Sequence, residues 1–149
     1  MQSVVDPNAD ALWESVATIS DEHGITEKQP RTDEEWAAVR RNAIAVIEGS
    51  NLLVMPGRHV VAAGKKLEDS DVEGILKPED IQKLIDSDRA TLIERAHGLH
   101  SAGMAMLAAI DAKNPQALSE AGGALDEACE NCHLKFWYPN QPVPSEPKK

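Results

Sequence analysis

The two cysteines of this chain lie close together near its C-terminal end, and a histidine follows the second one directly. The segment from Cys129 to His133 reads CENCH, and the chain has no other cysteine. On a helix, residues four apart share a face, so Cys129 and His133 point the same way with Cys132 beside them. Two thiols at this spacing can form thioethers with the two vinyl groups of one haem, and the histidine can bind its iron.

Other uses of a Cys-x-x-Cys pair are open at this point. The thiols could form a disulfide, or a thioredoxin-like redox pair, which would need a βαβ context that this chain lacks. They could instead bind zinc, which would need further ligands, with the nitrogen donors available from His59, His97 or His100. None of these alternatives accounts for the position of His133 as well as haem attachment does.

Composition narrows the class of partner. The formal net charge is −10 and the pI is about 4.9, so binding to nucleic acid or to an anionic membrane is not expected. A protein partner steered by electrostatics should present a basic surface. No apolar run approaches the length of a membrane span, and no basic and apolar leader with a small-residue cleavage site is visible.

The apolar pattern is helical along most of the chain. The first predicted helix has Asp6 as its N-cap and Pro7 at its first helical position. It ends at about His23, before Gly24. A capping box at Thr32 and Glu35 starts the second, which Pro56-Gly57 ends. The third predicted helix spans residues 78 to about 112. The fourth begins at the cap Asn114-Pro115 and continues until Pro139.

The connection over residues 58–77 is left undecided, since it is too long for a tight turn. With at least one short connection, four amphipathic helices predict an all-α fold, an antiparallel four-helix bundle. Residues 1–139 form one domain in this interpretation, and the proline-rich residues 140–149 form a disordered tail. Up-and-down order brings the CENCH segment to the end of the bundle where the second helix ends.

The segment ACENCH, late in a chain of four predicted helices, resembles the class II c-type cytochromes, the family of cytochrome c-prime and its low-spin relatives. The FWYP and NLLVMPGR segments are similar to features of a low-spin branch. The resemblance covers nearly all of the predicted helices. It implies one covalently attached haem c, with thioethers at Cys129 and Cys132 and His133 as the proximal ligand of the iron. It also implies a periplasmic location.

The sixth ligand of the iron decides between electron transfer and gas binding. Low-spin members of the family supply a methionine from early in the first helix, where this chain has Met1. Met55 is the second candidate because it ends the second predicted helix, at the same end of the bundle as His133. Met104 and Met106 should be remote from the haem. Arg58 is a candidate contact for a haem propionate, because guanidinium binds carboxylates bidentately.

The chain contains no nucleophile and base pair and no phosphate-binding loop, so an enzyme is not predicted. The expected function is one-electron transfer in the periplasm with His and Met ligands and basic redox partner proteins; a homodimer is left open. The alternative is a five-coordinate, high-spin haem protein that binds NO or CO. A helical bundle without haem, structural or metal-binding, is a third hypothesis.

Overall fold

The computed structural model describes residues 1–21, 24–62, 64–67 and 71–140 of the chain. Most of these residues are helical, as the sequence predicts, and the predicted disordered tail lies outside the described residues except for Asn140. The five helices are α1 (Val5–Trp13), α2 (Asp33–Leu53), α3 (Pro78–Ser87), α4 (Arg89–Asp111) and α5 (Pro115–Phe136). Two strands, β1 (Ala17–Asp21) and β2 (Gly24–Lys28), form an antiparallel pair.

Helices α1, α2, α4 and α5 pack around a common core, and neighbouring helices run antiparallel. Helix α2 contacts α1 and α4, and α5 contacts α4 and α1. At one end of the α2–α4 pair, Arg40 forms an ion pair with Asp111 at 2.7 Å. At the other end, the Arg89 guanidinium donates a hydrogen bond to the Val54 carbonyl at 2.7 Å. These contacts place the start of α4 beside the end of α2.

Two predicted helix starts are confirmed by their caps. The Thr32 hydroxyl accepts a hydrogen bond from the Glu35 N–H at 3.2 Å, and the Glu35 carboxylate accepts one from the Thr32 N–H at 3.0 Å. At the start of α5, the Asn114 side chain accepts a hydrogen bond from the Ala117 N–H at 3.0 Å. Both signals act within one helical turn, so they are readable from local sequence.

The first predicted helix is wrong in extent, and the all-α prediction is wrong here. Helix α1 begins at Val5, because the Met1 carbonyl already accepts hydrogen bonds from Val4, Val5 and Asp6. It ends at Trp13, and the β1–β2 pair replaces its predicted second half. Gly24 has a φ of +124°, a conformation that favours glycine and suits a turn between paired strands.

The third predicted helix has the expected bounds but is not continuous, because it is divided at Asp88 into α3 and α4. The backbone there leaves the helical region, with φ −139° and ψ 55°. The Asp88 side chain accepts a hydrogen bond from the Thr91 N–H at 3.3 Å, which caps α4 as a new helix. Lys135 of α5 also lies 3.0 Å from the Asp88 carboxylate. The connection over residues 58–77, which the sequence left undecided, contains turns and no helix in its described part.

The buried apolar residues form two clusters. The larger cluster fills the space among α1, α2, α4 and α5, with Leu12, Val46 and Met106 among its fully buried members. The smaller cluster joins α3 to the ends of α4 and α5 through Ile81, Leu92 and Phe136. None of the helices in the described part of the chain is both long and apolar enough to cross a membrane.

Candidate functional site

The Cys-x-x-Cys-His motif occupies the last two turns of α5. Cys129 and Cys132 are free thiols and are both partly buried, as is His133. The side chain of Cys129 packs against the larger core cluster, whereas Cys132 packs against the smaller one. The motif therefore spans the boundary between the two clusters.

Contacts on both sides of the motif hold this end of α5 in place. The His133 carbonyl accepts hydrogen bonds from the Trp137 N–H at 2.8 Å and the Tyr138 N–H at 3.0 Å, which closes the helix. The Trp137 carbonyl accepts a hydrogen bond from the Leu76 N–H at 2.8 Å, which ties in the irregular connection. The Tyr138 hydroxyl donates to the Glu130 carboxylate at 2.6 Å. The rings of Trp137 and Tyr138 lie 5.8 and 5.9 Å from the imidazole of His133, measured between centroids.

A cavity opens beside the motif. It lies at the boundary between the two core clusters and opens to solvent. Cys129, Cys132 and His133 all line it, and most of the remaining wall is apolar. The apolar lining comes from both core clusters and from the irregular connection: Leu53, Val60, Ile85, Leu92, Ala96, Leu99, Ala128 and Trp137.

Two of the other residues named from the sequence also line this cavity, and one does not. Met1 and Arg58 are in the wall, together with the three residues of the motif. Met55 is outside the lining residues, and half of its surface is exposed (50%). The two methionines expected to be remote are away from the cavity: Met104 is exposed on α4, and Met106 is buried in the larger core cluster.

Arg95 is a cavity residue that the sequence interpretation missed. Its Nε atom is buried and has no hydrogen-bond partner among the described residues. Because Leu92, Ala96 and Leu99 are buried at helical spacing around it, Arg95 lies on the inward stripe of α4. A charged residue on that stripe is the signal that could have identified it. Arg89 and His59 also line the cavity.

Burial makes the two thiols poor nucleophiles. It is the main cause that raises the pKa of Cys129 to about 11, and nearby acidic side chains, Asp6 first, add to the effect. Burial likewise raises the pKa of Cys132, with Arg95 opposing the change. Reactive cysteines of thiol–disulfide exchange proteins have lowered pKa values. The motif also lies at the end of a helix and not in a βαβ unit, so the thioredoxin-like alternative loses support.

The pKa of the His133 imidazole is lowered, whereas those of the two thiols are raised. Burial lowers its pKa, although Asp6 and Glu130 oppose this change. The ring is therefore neutral at neutral pH, and a neutral imidazole is the form that binds metals. In the parts of the chain that the structure describes, no three His, Cys, Asp or Glu side chains are grouped so that they could hold a metal ion. A zinc site made by protein ligands alone is thus not supported there.

Comparison of the chain with protein-family models, with curated proteins and with solved structures returns no match. The chemistry of the site is therefore argued from its own residues. The lining combines two thiols, a neutral imidazole, apolar walls and a buried guanidinium Nε–H without a partner. A haem presents vinyl groups, iron, a large apolar ring and carboxylates, so the residues of the cavity fit this group.

Proposed function

We propose that this protein is a c-type monohaem cytochrome, a helical bundle that transfers single electrons through a covalently attached haem. The observation that carries the proposal is the meeting of Cys129, Cys132 and His133 at one cavity with mostly apolar walls. The antiparallel packing of α1, α2, α4 and α5 and the resemblance of the ACENCH segment to class II c-type cytochromes agree with it.

Each group of lining residues would have its own task. Cys129 and Cys132 would hold the haem through thioethers, and a nitrogen of His133 would be the proximal ligand. The apolar walls would exclude water, and the contacts of Trp137 and Tyr138 with His133 would limit the freedom of the imidazole ring. When bound, the haem supplies iron that cycles between two oxidation states, at a potential set by its ligands and by burial.

Met1 is the favoured donor on the other side of the iron. It lines the same cavity as His133, whereas Met55 does not and is half exposed to solvent. A thioether ligand raises the potential of haem iron and favours electron transfer. His59 is a further donor in the cavity wall. If none of these side chains bound the iron, the protein would be the five-coordinate, gas-binding alternative.

The charge of the chain and the resemblance suggest where the protein works and with what. A periplasmic location follows from the resemblance to cytochromes that receive their haem there. Acidic side chains surround the motif: Asp6, Asp126 and Glu130 all act electrostatically on Cys129. A redox partner with a basic surface would therefore be steered to this end of the molecule.

A visible spectrum of the protein, produced with a cytochrome c maturation system, tests the proposal. We expect Soret absorption, a low-spin spectrum with a methionine-to-iron charge-transfer band, and haem that stays on the protein after acid extraction into organic solvent. His133→Ala should mature poorly or lose the native spectrum, while His97→Ala, an exposed change on α4, should leave it intact. Haem that extracts freely would refute covalent attachment, and a wild-type protein without Soret absorption would refute the whole proposal.

A further inference from the structure

Arg95 stands apart from the other described cations of the cavity. Its Nε–H is buried without a hydrogen-bond partner among the described residues, although buried polar groups are normally paired. Arg89 already donates a hydrogen bond to the Val54 carbonyl at the end of α2. Arg58 is exposed to solvent. Arg95 is thus the cavity cation with an unused and dehydrated donor.

Among the residues that the structure describes, no carboxylate forms an ion pair with this guanidinium. The ion pairs found among the described residues use Arg40, Lys83, Lys113 and Lys135, and Arg95 is in none of them. Its electrostatic effect on Cys132 places it on the motif side of the cavity. A buried N–H without a partner is unfavourable, and a carboxylate is the group that matches the planar donor geometry of a guanidinium.

We propose that Arg95 binds a carboxylate of the bound cofactor, a haem propionate, through its Nε–H, and so acts as the buried counter-ion of the haem. The inference rests on the proposed function and assigns to Arg95 the contact that the sequence suggested for Arg58. The physical consequence concerns charge. A carboxylate near the iron stabilises the ferric state, and a buried guanidinium beside it cancels part of that effect because the medium screens weakly. Arg95 would therefore raise the reduction potential.

The test compares the holoprotein with Arg95→Gln, Arg95→Lys and Arg58→Gln, and with Arg40→Gln as a matched control. Arg40→Gln removes the same charge from an exposed ion pair with Asp111 near the end of α4, away from the cavity. The readouts are the reduction potential and the propionate bending band of the resonance Raman spectrum, which responds to hydrogen bonds on the carboxylates. Neither depends on a physiological partner.

Arg95→Gln should shift the propionate band and lower the potential. Arg58→Gln should have a smaller effect on both because water screens its exposed side chain, and Arg40→Gln should shift neither. Arg95→Lys keeps the charge but loses the planar guanidinium, so it should shift the band while keeping a potential close to that of the wild type. Arg95→Lys also serves as the decisive variant if Arg95→Gln yields no holoprotein.

An unchanged propionate band in Arg95→Lys and in any Arg95→Gln holoprotein would overturn this inference and leave the cytochrome proposal intact. A potential shift of equal size in Arg40→Gln and Arg95→Gln would also overturn it, because the effect would then be one of net charge. A wild-type protein that takes up no haem would overturn the proposed function and this inference together.

Discussion

Where α1 meets α5 and where α2 meets α4, the helices approach closely at a glycine. A Cβ built on Gly103 would lie 2.8 Å from Cγ1 of Ile47, and one on Gly122 would lie 3.2 Å from Cδ1 of Trp13. The Trp13 indole N–H also donates to the Gly122 carbonyl at 3.0 Å. At these two points the helices are in close contact, and the polar group of Trp13 is paired.

At the motif end, residues of both core clusters line a cavity. The Arg95 Nε–H in its wall is buried and has no hydrogen-bond partner among the described residues. This cavity and this unpaired donor lie where Cys129, Cys132 and His133 meet. The proposed function assigns this end to cofactor binding, whereas the glycine contacts belong to the packing of the helices. Mutations in the two regions should therefore have separable effects.

The largest effect is expected from changing both thiols, Cys129→Ser with Cys132→Ser. Serine is nearly isosteric but cannot form a thioether, so haem that survives a denaturing gel should fall to background. Haem staining of the gel measures this, and circular dichroism shows whether the chain still contains helix. Ser119 lies on the same helix, is exposed and is far from the motif. Ser119→Ala is therefore the control, with full staining expected. Staining equal to wild type in the double variant would contradict covalent attachment.

In the close-packed region, Gly103→Val should destabilise the fold by about 1–3 kcal/mol, because the added atoms overpack against Ile47. The visible spectrum should be unchanged. Gly98→Ala on the same helix is the control: nothing lies within 4 Å of its added Cβ, and it should stabilise by about 0.5–1 kcal/mol. Urea unfolding followed by circular dichroism measures both. A Gly103→Val protein as stable as wild type would show that this contact is not tight.

Met1→Ala, made behind a cleavable export leader, should convert a low-spin haem into a high-spin one that binds carbon monoxide. Its potential should fall, because a soft thioether no longer stabilises ferrous iron. Met55→Ala should leave the spectrum unchanged, since Met55 is outside the cavity wall. Carbon monoxide titration of both reduced variants is the measurement. If Met1→Ala stays low-spin and closed to carbon monoxide, another donor binds the iron, and His59→Ala is the next variant to examine.

The smallest effect concerns Asp88, which joins α4 to the motif end of α5. Hydrogen bonds from Thr91 and then Lys135 lower the pKa of its carboxyl. Because the folded-state pKa is the lower one, its stabilising contribution is complete above the ordinary pKa of about 4 and is lost as the pH falls through the lowered value. Asp88→Asn should therefore be slightly less stable than wild type at pH 7, with the difference shrinking below about pH 4. A difference that does not change with pH would contradict this role.

Local sequence signals predicted much of the fold. They failed where a helical apolar spacing coincided with β-branched residues, and where it continued through a residue that caps a new helix. The capping box at Thr32 and the cap at Asn114 act within a single turn, and both are confirmed. Apolar spacing through Ile19 suggested a longer first helix, but the β-branched Thr18 and Ile19 pair with β2, and Ile19 is left 48% exposed. The apolar period runs through Asp88 without interruption, so only its capping bond and its contact with Lys135 reveal that a new helix begins there.

By itself, the sequence determined the grouping of Cys129, Cys132 and His133, because residues three and four apart on a helix must share a face. It also determined that the chain is mostly helical. Only the tertiary structure decided what faces that group. Met1 and Met55 were both reasonable donors along the chain, and the packing of α1 against α2 and α5 brings Met1 into the cavity wall. Arg95 could be recognised as unpaired only in three dimensions, because a missing partner is a property of every element around it and not of a local pattern.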